Sequence, residues 1–470
     1  MKWIVLQVVV PLLLIFPLSC QTAGADHSLP TGEVIEDVHF SDDASQSYAV
    51  YLPSNYTAGH AWPMIYAFDP LARGKLPVNL FKDAAEKYGY IVVGSNNSQN
   101  FSLDDSLKSA NAIWNDTHRR FAIDERQTYT AGFSGGARVA GLIAVNCPQC
   151  KIAGVIAQGA GYWEPGHPPS GPLLYFLTVG DEDFNWPEVI GVRRERESAG
   201  TPYRVRVFAG PHQWAPKPLL LEAIEWLQLK AMQAGIRKSD PVFIQDLFTR
   251  AVAEAGNAEK QNDALAELNA YRFLVSDFSG LKDAAEYEHK LTSLRSAPAL
   301  KDALKKEQEL IDEQHALTRE TSMKLGRFSD SSFDERMLLR REIVDNFRQL
   351  QTQVERADKD NRRNVFTRSF NDLWAQGIEA GQGQMKQRHF DVAVSYFQMI
   401  GEVSPKEPWP ALLSAEAWTA AGNKKEALKS LREAVRRGLK NTDALERNRN
   451  LAALAAEPEF QAILAEMKKN

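Results

Sequence analysis

Gly132-Phe133-Ser134-Gly135-Gly136 places a serine between glycines at the spacing G-x-S-x-G. Such spacing suits nucleophilic acyl transfer, because a serine on a sharp turn is held out of the fold with its hydroxyl exposed. A Cβ at either flanking glycine would clash in so tight a turn. Gln127-Thr128-Tyr129-Thr130-Ala131 precedes it and reads as a buried strand, while Ala137 to Val145 reads as a helix. The turn therefore puts the amide of Gly135 at a helix start, aimed at an oxyanion forming near Ser134.

Stepping outward, residues 33 to about 235 alternate strand and helix signals. Val34–Phe40 and Ser47–Leu52 predict an opening antiparallel pair. Met64–Phe68, Ile91–Gly94, Gly154–Ala157, Leu173–Val179 and Arg204–Phe208 predict further strands, with helical patterns such as Asn79–Tyr88 and Leu107–Arg120 between them. This alternation predicts an α/β class, a mainly parallel sheet with helices on both faces. After Gly235-Ile236-Arg237-Lys238-Ser239-Asp240-Pro241 strand signals cease and helical periodicity runs to the end. The organisation expected is a leader over 1–25, an α/β catalytic domain over 26–235, a helical region over 242–365 and a repeat-like helical domain over 366–470. Within the last, Ala393 and Ala427 stand about 34 residues apart, a tetratricopeptide period, and such small residues let paired helices approach. Asp263–Leu268 is a weaker unit of the same kind, the stretch from about 300 to 365 is helical with no register fixed, and a generic bundle is the alternative.

A serine hydroxyl needs a base to take its proton, and the base needs an acid to orient it. In an α/β-hydrolase order the acid follows the serine and the histidine follows the acid. Two histidines lie between Ser134 and the helical half. His212 follows the last strand and precedes a helix, which suits the base; His167 sits in a proline-rich connector. The strand Leu173–Val179 runs into Gly180-Asp181-Glu182-Asp183, where Asp183 has the G-x-x-D offset of an acid and Asp181 is the alternative. The second oxyanion amide is expected in Asp69-Pro70-Leu71-Ala72-Arg73-Gly74. Pro70 has no N–H, so Leu71 or Ala72 must supply it. Asp69 reads as a loop stabiliser and Arg73 as a contact for an acidic substrate, or both as surface charges.

On Tyr129–Gly136, the Gly180–Asp183 loop and His212-Gln213-Trp214, residues 30 to 235 resemble the α/β-hydrolase superfamily. Within it they look like the secreted esterase branch of feruloyl esterases, polyhydroxybutyrate depolymerases and dienelactone-hydrolase-like proteins. That resemblance implies a Ser134–His212–Asp183 triad, an oxyanion site at Gly135 and the Leu71 region, and acyl transfer from an ester to water, with neither cofactor nor metal. The ester would be polysaccharide-linked or polymeric. The C-terminus resembles tetratricopeptide-repeat proteins, which implies a groove for a protein partner. Two other readings stand beside it: a non-catalytic hydrolase scaffold whose repeats bind protein, and a serine peptidase, which would be expected to carry a β-propeller ahead of the hydrolase half.

Lys2, the apolar run Trp3–Leu18 and Ala23-Gly24-Ala25 read as a secretory leader, the run being short for a membrane span. Cys20 after that run offers a lipoprotein cleavage instead, although Pro17-Leu18-Ser19 departs from the usual lipobox. Either predicts an extracytoplasmic protein, with contact to a membrane only through a lipid at Cys20. In that compartment Cys147-Pro148-Gln149-Cys150 reads as a structural disulfide, and its place after a helix rather than at a helix start speaks against a redox pair. Four N-x-S/T sites, at Asn55, Asn96, Asn100 and Asn115, matter only in a eukaryotic host. A net charge of −5 over 470 residues gives no basis for nucleic-acid binding.

Overall fold

The computed structural model describes residues 29–40, 43–100, 102–147, 150–162, 173–358, 361–446 and 448–468. The leader, Cys20 and His167 lie outside the described residues.

Eight strands form one sheet: β1 (Val34–His39), β2 (Ser47–Tyr51), β3 (Trp62–Phe68), β4 (Ile91–Ser95), β5 (Ile123–Phe133), β6 (Gly154–Gln158), β7 (Leu174–Gly180) and β8 (Tyr203–Phe208). Their order is β1-β2-β4-β3-β5-β6-β7-β8. β2 runs antiparallel to β1 and β4, and every other pairing is parallel. This is the strand order of an α/β-hydrolase fold, and it follows from the sequence pattern. β3, β4 and β6 are buried along their whole length, which is why they read as unbroken apolar runs rather than alternations.

The pleat divides the core in two. Tyr51, Ile65, Ala67, Val92, Tyr129 and Phe176 face α1 (Lys75–Tyr88) and α5 (Lys217–Gln233). Met64, Tyr66, Val93, Val155, Tyr175 and Leu177 face α2 (Leu103–Arg120), α3 (Gly135–Asn146) and α4 (Trp186–Ser198). Cys147 and Cys150 are joined by a disulfide just past the end of α3.

The change of grammar near residue 240 has a local cause. Asp240 accepts hydrogen bonds from the amides of Val242 (3.0 Å) and Phe243 (3.1 Å), and Pro241 sits where no amide is needed, so α6 (Pro241–Gln261) starts there. The core does not stop with the strands. Leu247 and Ala251 of α6, Leu268 and Tyr271 of α7 (Ala264–Arg272), and Leu291 and Leu294 of α8 (Ala285–Ser296) belong to the same buried cluster as Phe176 and Trp226.

The stretch of unfixed register is a long hairpin, α9 (Pro298–Phe328) and α10 (Phe333–Arg356). Ser332 starts α10 through a reciprocal capping box with Glu335. Then follow α11 (Asn361–Lys386), α12 (Phe390–Val403), α13 (Trp409–Ala420), α14 (Lys424–Arg436), α15 (Thr442–Glu446) and α16 (Pro458–Met467). α11 and α12 meet closely because Gly377 and Gly381 leave room for Ile400 and Phe397; a Cβ at either glycine would strike those side chains. Ala393 and Ala427 are fully buried. None of the helices among the described residues is long and apolar enough to cross a membrane.

Candidate active site

Ser134 stands between β5 and α3 with φ 53° and ψ −124°, a backbone that side chains other than glycine's rarely adopt. The neighbouring sequence tolerates this strain. A Cβ on Gly132 would run into the carbonyl of Gly136, and one on Gly136 into the carbonyl of Phe68. The Ser134 amide donates to Gln158 O (2.8 Å), which ties the turn to β6.

The loop after β7 carries three carboxylates with different fates. Asp183 is fully buried, and its Oδ1 accepts His212 Nδ1 (2.8 Å) and the Asn185 amide (2.9 Å). Since an ionised carboxylate only accepts, His212 Nδ1 carries the proton and Nε2 is left free to receive one. Asp181 instead accepts the Gly210 amide (2.9 Å) and joins the β7 and β8 loops. The imidazole lies between Phe133 and Phe184, at ring-centroid distances of 4.5 Å and 4.3 Å. Gly159 (φ 59°) makes the space for this group: a Cβ there would come within 2.9 Å of Asp183 Oδ2 and 3.3 Å of His212 Cε1.

The loop after β3 departs from expectation. Asp69 is fully buried and accepts Arg73 Nε (2.8 Å) and Nη2 (2.9 Å), Trp214 Nε1 (2.8 Å) and the Leu71 amide (2.9 Å). The Leu71 N–H is thus spent on Asp69, and the Ala72 amide on the Asp69 carbonyl (3.1 Å). Leu71 was expected to supply an oxyanion donor; its amide is turned inward because Asp69, two residues earlier, forms an Asx-type turn. Leu71 contributes an exposed side chain to the cavity wall instead. Arg73 is neutralised by Asp69 rather than waiting for an acidic substrate. Through Trp214, Asp69 also pins the His212 loop.

Ser134 and His212 open into a cavity of about 560 Å³. One wall comes from the hydrolase half, with Pro70, Leu71, Asn100, Phe133 and Phe184. The other comes from the helical half: Phe370, Trp374, Ile378 and Glu379 of α11, and Trp409 of α13. Glu379 reaches the cavity's solvent, yet the surrounding protein pushes its carboxyl above the usual range, with Arg138 and His212 acting against that rise. In the sequence Asn100 carries only an N-x-S/T motif. Its side-chain amide packs against the Cα of Gly135, where a Cβ would collide with it. No residue spacing marks it, because a loop folded back beside β4 brings it to the turn; its backbone N–H donates to Pro70 O (2.9 Å).

No family model matches the chain, and neither does any curated protein. Solved structures similar to it include a ferulic acid esterase at 15% identity, covering 41% of this chain and 94% of that one, with a TM-score of 0.33. FphF, a fluorophosphonate-binding serine hydrolase of Staphylococcus aureus, is 14% identical over 42% of this chain and 99% of its own, with a TM-score of 0.35. Est1E from Butyrivibrio proteoclasticus is 12% identical over 42% and 100%, again at 0.35.

Proposed function

We propose that this protein is a serine hydrolase that cleaves carboxylic esters through an acyl-enzyme on Ser134. The observation that carries the reading is the His212–Asp183 hydrogen bond (2.8 Å) in one cavity with a serine held at positive φ. Ser134 Oγ attacks the ester carbonyl while His212 Nε2 takes its proton; the proton then passes to the leaving alcohol, and water repeats the sequence to free the acid. Asp183 holds the tautomer and stabilises the imidazolium. The Gly135 amide, at the first turn of α3, stabilises the oxyanion. Asn100, whose side-chain amide packs beside Gly135 at the cavity wall, replaces Leu71 as the second donor.

The wall from α11 and α13 makes the helical half part of substrate binding. Its aromatic side chains suit an ester with a bulky apolar or ring-bearing group. An extracytoplasmic setting is supported by the Cys147–Cys150 disulfide, a bond that persists in oxidising compartments.

A fluorophosphonate probe should label Ser134 in the full chain, and Ser134→Ala should abolish labelling and nearly all turnover of p-nitrophenyl acetate while far-UV circular dichroism is unchanged. Wild-type turnover in Ser134→Ala would refute the assignment.

A further inference from the structure

We infer that Arg368, on α11, is a positioning residue for the reaction, holding from the helical half the loop that carries Asp183. The inference rests on the triad reading above. Arg368 is buried, with 3% of its surface exposed. Its Nη1 donates to the carbonyl of Asp181 (2.7 Å), and its Nε donates to Gln314 Oε1 on α9 (2.9 Å). Gln314 in turn donates through Nε2 to the carbonyl of Phe184 (2.9 Å). The guanidinium lies over the Trp186 ring, 4.4 Å from its centroid. One Arg–Gln pair therefore grips the backbone two residues before Asp183 and one residue after it. Phe184 is also the ring that packs on His212, so the same grip bears on the imidazole from its face.

A buried guanidinium is a costly way to fill space, and an apolar side chain of similar size would pack there more cheaply. No carboxylate forms a salt bridge with Arg368 among the described residues. Burial lowers it to about 10, with the Asp181 and Asp183 carboxylates pulling the other way. Other charged groups near this assembly are Glu379 of α11, which feels both His212 and Arg138 of α3, the latter paired with Glu188 of α4, and Asp372, one turn along α11, which feels His315 of α9. All of these stay in place when Arg368 alone is changed.

The test uses the full chain, with p-nitrophenyl acetate from pH 5 to 9 and fluorophosphonate labelling in parallel. Arg368→Met should lower kcat about 10- to 100-fold with KM within about twofold, as expected for misplaced catalytic groups. Arg368→Lys, which keeps a donor for the Asp181 carbonyl, should recover part of kcat. Gln314→Leu, which frees the Phe184 carbonyl, should lower kcat with KM within about twofold, and it carries the test, together with Arg368→Lys, if Arg368→Met does not fold. Wild-type kcat in these variants would overturn the inference. A wild-type protein that neither labels nor turns over esters would instead sink the triad reading, so the two failures are distinguishable.

Discussion

At the scale of residues, two aspartates two positions apart are told apart by what their oxygens touch. Asp183 accepts the His212 proton donor, whereas Asp181 accepts a backbone amide. Asparagine at 181 can still accept from Gly210, so Asp181→Asn should keep kcat within about threefold, since only a charge-assisted hydrogen bond weakens. Asparagine at 183 can present an NH2 to Nδ1 and favour the wrong tautomer, so Asp183→Asn should lower kcat by roughly 10³ to 10⁴. Steady-state kinetics of the two variants on one ester decides it, and equal losses would break the assignment. That Ser134, Asp183 and His212 would stand at successive strand ends was legible in the sequence, and the structure brings Ser134 and His212 to one cavity with Asp183 bonded to His212. The inward turn of the Leu71 amide was not. An amide's direction depends on whether a nearby side chain captures it, and Asp69 capturing Leu71 leaves no trace in spacing. Asn100 was invisible for the converse reason: a lone asparagine in a loop carries no signal until the loop is folded.

At the scale of elements, the strands were legible because sheet burial imposes apolar runs, and α6 because Asp240-Pro241 is a helix start. What joins the elements was less so. Arg204 and Arg206 on β8 meet Glu222 of α5 and Glu254 of α6; Arg206 Nη2 lies 2.7 Å from Glu254, and Arg206 Nε lies 2.7 Å from Glu222. In sequence these are scattered charges with the look of a solvated surface. Folded, they form a half-buried network across three elements. Burial alone would raise both carboxyls, but the two arginines outweigh it and hold Glu222 and Glu254 below the ordinary range. A depressed carboxylate adds stability that is complete above the unfolded value, about 4.3 for glutamate, and is lost as pH falls through the folded value. Glu254→Gln should therefore lower Tm at pH 7, with the gap to wild type closing as the pH drops below about 4. Thermal melts at pH 7, 5 and 3 test this, and a gap that persists at pH 3 would mean the loss is one of packing.

At the scale of the whole molecule, the sequence suggests cutting the chain near residue 235, where strand signals end. The structure argues against treating that point as a seam. Phe176 and Trp226 share one buried cluster with Leu247, Leu268 and Leu291, so a chain ending at 235 would leave an apolar face of the sheet layer open to water. The next helices add polar ties. Glu307 of α9 is buried between Arg193 (3.0 Å) and Arg194 (2.7 Å) of α4. Removing it leaves Arg193 buried with its Nη groups unpaired, a loss of the kind that costs about 3–5 kcal/mol for a broken buried pair. Beyond these, α11 closes the cavity over Ser134 with Phe370, Trp374 and Ile378. A fragment of residues 29–235 should then aggregate on expression. A fragment of residues 29–300, which keeps α6, α7 and α8, should recover solubility, because the shared apolar cluster is covered again. Even so it should not recover the full chain's kcat/KM on an ester with a ring-bearing group, since the α11 wall is still missing. Sedimentation of the two fragments reads the first claim, and the ratio of kcat/KM for a ring-bearing ester to that for p-nitrophenyl acetate reads the second. If the 29–235 fragment is monomeric and has the full chain's ratio, the helical half is an appendage; if both fall in the order argued, it is a working part of the site.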